Sequence, residues 1–205
     1  ITKIMTDKIN KKFSLVLYDH HTDMQKPMVE GMTSCGDWAA QVIEQNENLE
    51  QLILVGASEA DIQQINVKNQ SKLITFSAEE LRNNSGREKL DLIETDVPFY
   101  ISIDKDVLCE TDADTNWSQG DMRLSTMLEC LGAVKEKCAE RISRILGVDI
   151  CGECDVTEPG NSALNDMANA ALLEFFTSTD VGEDIEENKN GMQLKMRPQE
   201  ETDEK

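Results

Sequence analysis

Short apolar runs alternate along this chain with polar stretches patterned at helical spacing. Residues 1–12 place Ile1, Ile4, Met5 and Ile9 on one helical side, with lysines on the other. FSLVLY follows at 13–18, rich in strand formers, and ends abruptly in Asp19-His20-His21-Thr22-Asp23. Gly36-Asp37 opens a second predicted helix through Trp38, Val42 and Ile43, before a strand at Leu52-Ile53-Leu54-Val55 that Gly56 closes. A third strand is predicted at 72–76, followed by Ser77 and, three residues on, Glu80, the signature of a capping box. The fourth strand, 99–103, stops at Asp104-Lys105-Asp106.

The longest helical pattern begins near Leu124, with a stripe of Leu124, Met127, Leu128, Leu131, Val134, Cys138, Ile142 and Ile145. Residues 145–150 read as a fifth strand leading into Cys151-Gly152-Glu153-Cys154, and a last helix carries Leu164, Met167, Ala168, Ala171, Leu172 and Phe175. The predicted organisation is one domain over 1–180 and a polar, acidic tail over 181–205, expected to be disordered.

Strands of four to six apolar residues alternating with helices predict an α/β fold, with a mostly parallel sheet covered on both faces. Ligands of such sheets bind beyond the carboxyl ends of the strands. The residues just after each strand are therefore the informative ones, and here they are mostly carboxylates. Asp19, His21 and Asp23 follow the first strand at i, i+2, i+4, a spacing that puts all three on one side of an extended segment. Asp104 and Asp106 repeat the i, i+2 spacing after the fourth strand, and Asp149 and Glu153 fall at the end of the fifth. Brought together, these carboxylates repel strongly unless something compensates. A site dominated by carboxylates with an imidazole suits Mn²⁺, and two such ions would activate a water held between them as a nucleophile.

Composition narrows the partners. With 40 acidic against 20 basic residues the net charge is −20, which argues against nucleic acid and against an anionic membrane surface. Hydrophobic residues make up 39% of the 205, enough for a packed core. No apolar run approaches the roughly 20 residues of a membrane-spanning helix, and no signal peptide is visible. Six cysteines in that setting read as reduced thiols of a cytoplasmic protein. The first residue is Ile, and the opening stretch reads like the middle of a helix, so a missing N-terminal part is expected.

Tyr18-Asp19-His20-His21-Thr22-Asp23 resembles the Asp-Ala-His-x-Asp motif of the arginase, agmatinase and formimidoylglutamase family, the ureohydrolases. Residues 102–108 (SIDKDVL) resemble its Ser-x-Asp-x-Asp motif, and 148–153 (VDICGE) its Asp-Ile-x-Glu segment with one extra residue. The motifs occur in family order, and the resemblance spans residues 13–176. It implies a three-layer α/β/α fold and hydrolysis of a small guanidino or amidino compound at a pair of Mn²⁺ ions. By that resemblance Asp19 and Asp104 would bridge the two ions. His21 and Asp106 would bind one of them, and Asp23 the other while also hydrogen-bonding the nucleophile. Glu153 would pair with the substrate's guanidinium or amidinium, and a homo-oligomer is implied.

The chain also departs from the family. A histidine ligand that the family carries upstream of the first strand has no counterpart, nor has the proton-shuttle histidine after the first motif. The Asp-Pro that ends the second motif is Cys109-Glu110 here. A non-catalytic relative with a degenerate site, and a deacetylase-like enzyme with a single zinc, stand as alternatives. Cys151 and Cys154 have the spacing of a zinc or redox pair, but no second pair accompanies them, so they read as bystanders. His20 reads as pointing away from His21, and Trp117 as equally suited to a substrate loop or a core.

Overall fold

The sheet is built from its most apolar segments. In the computed structural model, which describes residues 1–29, 31–140, 144–154 and 162–178, β1 (Phe13–Tyr18) is buried along its whole length. Burial on both faces is what a continuous apolar run dictates for a central parallel strand. β2 (Leu49–Val55), β3 (Leu73–Phe76), β4 (Phe99–Asp104) and β5 (Ile145–Cys151) complete a five-stranded parallel sheet in the order β3-β2-β1-β4-β5. The predicted strands are all present, with ends that differ by up to three residues.

Helices cover both faces and give the three-layer α/β/α fold. On one side α2 (Trp38–Gln45) sets Ala39, Val42 and Ile43 against Leu15, Leu17, Leu52 and Leu54, and all seven are fully buried. Each such aliphatic side chain taken from water contributes about 1.5–3 kcal/mol. The other face carries α4 (Ala78–Arg82) and α5 (Leu124–Glu140), which follow the short α3 (Glu59–Ile62). A cavity of about 350 Å³ remains there, lined by Val16, Tyr18, Ile53, Val55, Leu81 and Cys130 among others. The capping box at Ser77 forms with both of its bonds, Ser77 Oγ accepting from Glu80 N and Glu80 accepting from Ser77 N.

Two expectations change. α1 is only Thr2–Thr6 and turns its apolar stripe outward, with Ile1, Ile4 and Met5 exposed and Thr2 and Thr6 buried. Its threonine hydroxyls have partners inside: Thr2 donates to Asp149, and Thr6 donates to the Thr2 carbonyl. In α6 (Ser162–Thr177), Ala168 is buried but Met167 faces solvent. Ile142 and the tail over 181–205 lie outside the described residues. By its contacts the chain divides into Ile1–Ala170, which holds the sheet, and Ala171–Lys205, of which the described part is the end of α6 and Ser178. No described helix is long and apolar enough to cross a membrane.

Strand order decides where a site can form. From β1 the chain moves outward to β2 and β3, then returns to β4 on the other side of β1. Connections diverge at that boundary, which opens a crevice at the carboxyl ends of β1 and β4. Tyr18 pairs with Ile103 there, so Asp19 and Asp104 emerge side by side.

Candidate metal centre

Both strand ends use the same local device. Asp19 Oδ1 accepts the backbone N–H of His21 at 2.7 Å, and Asp104 Oδ1 accepts that of Asp106 at 3.1 Å. An aspartate bonding the backbone two residues on bends the chain. The segment after β1 is therefore a turn and not the extended stretch predicted for it. The aspartates come together all the same, because the two turns face each other across the β1/β4 crevice.

At its centre His21 Nδ1 lies 2.9 Å from Asp106 Oδ2 and 3.6 Å from Asp19 Oδ1. Asp19, His21 and Asp106 each offer a ligand atom within 4.8 Å of the others, with Asp19 and Asp106 buried. Asp106 also accepts the backbone N–H of His20 at 3.1 Å through Oδ1. The His20 ring does not point away as expected but stands edge-on to that of His21 at 5.1 Å, and its buried Nδ1 makes no hydrogen bond. The other nitrogen of His21, Nε2, meets Ser118 Oγ at 3.0 Å, and the Trp117 ring stands edge-on at 6.4 Å.

Asp23 reaches the cluster from the loop after β1, held against the first residues of α2. Its backbone is left-handed (φ 50°), a conformation Asp tolerates better than most residues. Its carbonyl accepts from Ala39 N, and Oδ2 accepts from the Trp38 indole at 2.5 Å. Trp38 is thus a positioning partner of Asp23.

The electrostatics are those of an anionic pocket short of cations. Burial, with Asp23, Asp106 and Asp104 nearby, pushes Asp19 well above the usual carboxylate range. Burial likewise raises Asp23 to about 6, with Asp104 adding to the push, and raises Asp104 with help from Asp106. His21 is driven the same way for the opposite reason. Its hydrogen bonds to Asp106 and then Asp19 hold its proton up to about 10. The cluster thus retains protons where a divalent cation would relieve the same repulsion, and its donors, carboxylate oxygens with one imidazole, are those such a cation takes.

Two other strand-end acids part company with this cluster. Asp149 pairs with Ser102, two residues short of Asp104, and so sits one layer below. There its Oδ1 accepts from Thr2 and Ser102, while Oδ2 is buried without a partner. Glu153 lies past β5, half exposed, and is engaged by Lys105, whose fully buried ammonium donates to Glu153 Oε1 and, at 3.0 Å, to Asn169 Oδ1. Burial would raise Glu153, but the hydrogen bonds from Lys105 and Asn169 hold it below the usual range. Sequence reasoning missed Lys105, Asn169 and Ser118. Only Lys105 left a signal, as a lone lysine directly continuing an apolar strand.

Glycines let the backbone close around the centre. A Cβ on Gly152 (φ 81°) would collide with Asp104 Oδ1 and lie 2.7 Å from Lys105 N. Gly120, whose N–H donates to the Asp106 carbonyl at 2.7 Å, would meet the Val107 carbonyl at 2.6 Å. Cys151 is a free thiol donating to Asp104 Oδ2 at 3.4 Å, and Cys154, also free, accepts from Asn165.

Comparisons with known proteins bear on the family and the fold. A family model described as the Arginase family matches residues 1–151. An uncharacterized protein of Thermotoga maritima is 27% identical over 173 residues, covering 84% of this chain and 61% of that protein. Among solved structures, the agmatine ureohydrolase of Thermoplasma volcanium is similar with a TM-score of 0.65 at 17% identity, over 86% of this chain and 57% of that one. The formimidoylglutamase of Bacillus subtilis is similar with a TM-score of 0.60 at 14% identity, over 85% and 56%. The chain thus spans less than two thirds of the length of these relatives. The fold, the two aspartate turns in one crevice and the family match over residues 1–151 lead to one assignment: the chain belongs to the arginase family.

Proposed function

We propose that this chain carries the centre of a manganese-dependent hydrolase that cleaves a carbon–nitrogen bond in a small guanidino or formimino compound. The carrying observation is the convergence of Asp19, His21 and Asp106 within 4.8 Å at the crevice between β1 and β4, with Asp23 and Asp104 beside them. In this reading Asp19, Asp104, His21, Asp106 and Asp23 would together hold two Mn²⁺ ions, with His21 and Asp106 on one side of the centre and Asp23 on the other. Such ions acidify water and polarise the scissile carbon. The chain's own residues supply the rest. Asp106 orients His21, Trp38 fixes Asp23, and Glu153 stands outside the metal set, where a substrate nitrogen would be held. The Trp117–Gly120 segment, tied to Asp106 through Gly120, borders the opening.

A second reading, one metal held by Asp19, His21 and Asp106 alone, is favoured by the same triad, the one group of its kind among the described residues. Metal stoichiometry separates the two. The activity is tested by loading the protein with Mn²⁺ and measuring urea or amide release from arginine, agmatine, guanidinobutyrate and formiminoglutamate. Turnover of one of these, lost in D23N, is expected. Tight manganese without any turnover overturns the catalytic reading.

A further inference from the structure

We propose that Lys105 is a specificity-determining residue: an internal counter-ion that occupies Glu153 and removes the site's preference for a cationic head group over a neutral one of the same shape. The inference rests on the reading above that substrate meets Glu153. Lys105 falls between two metal-site aspartates, and its side chain is fully buried. A buried ammonium needs a carboxylate and hydrogen-bond acceptors to offset its lost hydration. Glu153 and Asn169 supply them, and Asn169 Nδ2 donates to Glu153 Oε1 at 3.1 Å, closing a three-membered network.

The consequence lies in the balance of charge. Asp19, Asp23, Asp104 and Asp106 are the candidate metal ligands, so Glu153 is the carboxylate left to attract a guanidinium. A free, half-exposed carboxylate does so through charge-assisted bonds. One already paired with an ammonium presents little net charge and accepts a hydrogen bond from a urea nearly as well as from a guanidinium. Lys105 thus transfers recognition of the substrate from the charge of its head to the rest of the molecule.

Methylguanidinium and methylurea share a shape and differ in charge, which makes them the probes. The full chain holds two tryptophans, and both indoles report on the site, Trp38 through Asp23 and Trp117 beside His21. Their ¹⁵N signals, followed in saturating Mg²⁺, give both affinities. Relative to the unmodified chain, K105M is expected to raise the preference for methylguanidinium over methylurea at least tenfold. K105R should leave it unchanged, and E153Q added to K105M should abolish the gain. K105Q, which removes the charge and keeps a hydrogen-bonding group beside Glu153 and Asn169, should raise the preference in the same direction, and this arm stands even if K105M does not fold. An unchanged preference in folded K105M or K105Q overturns the proposal. Failure of the metal reading shows separately, as indole signals and stability that no divalent cation moves.

Discussion

His21 Nδ1 sits 2.9 Å from Asp106 Oδ2, and this pair ties the end of β1 to the end of β4. The pair holds a proton on His21 up to about 10, against an ordinary value near 6.5. A histidine whose folded-state value is raised contributes stability that is present in full below about 6.5 and lost as pH climbs through 10. The metal-free protein is therefore expected to lose stability between pH 6.5 and 10. With His21 about a third open to solvent, the loss is on the order of 1–2 kcal/mol. Urea denaturation across that range measures it, and H21N should flatten the dependence. A profile that rises with pH in the unmodified chain, or is the same in H21N, would contradict the assignment.

The same protons must leave when a cation enters. At pH 7 His21 is protonated, so Mn²⁺ binding is expected to release at least one proton and to tighten steadily from pH 6 to 9. Below about pH 6 the proton on Asp23 adds to the release. Calorimetry in buffers of different ionisation heat counts these protons. Binding without proton release would place the ion elsewhere.

Gly152 is held at φ 81° with its α-carbon packed against Asp104 and the Lys105 backbone. G152A is expected to cost about 1–3 kcal/mol, from the strained backbone and the displaced Asp104 together. It should also weaken metal affinity, because the atom it displaces is a candidate ligand. Thermal unfolding and a metal titration on one sample test both effects.

The layer beneath the cluster should behave differently. Ser102 and Thr2 both donate to Asp149 Oδ1, whose second oxygen is already buried and unpaired. S102A removes one donor and is expected to cost about 1–3 kcal/mol, as for any buried polar group left short of a partner. Metal affinity should stay within about threefold, since Asp149 is two residues short of the cluster. A large loss of metal binding in S102A would make Asp149 part of the centre.

The sheet was legible in the sequence because its central strands are buried on both faces, which leaves continuous apolar runs that little else produces. Asp19, His21, Asp104 and Asp106 were legible through their position after such runs. The rest depended on information that spacing does not carry. α1 buries Thr2 and Thr6 in place of its apolar stripe, and Thr2 there donates to Asp149, a partner that lies 147 positions away in sequence. Asp149 looks like a strand-end residue, yet the β4/β5 register sets it opposite Ser102. Lys105 pairs with Glu153 across 48 positions of sequence, and Asn169 joins them from 64 positions away. Such partners become visible only once β5 is known to lie beside β4.

The central claim is that the strand-end aspartates and His21 form a two-ion centre. Metal content per folded chain after equilibration with Mn²⁺, measured by elemental analysis alongside calorimetric titration, tests it most directly. Two Mn²⁺ per chain are expected, with D104N losing the bridged pair and D106N losing the ion on His21. One ion per chain, unaffected by D104N, would contradict the two-ion centre in favour of the Asp19–His21–Asp106 triad alone, and no bound ion would contradict the metal site itself.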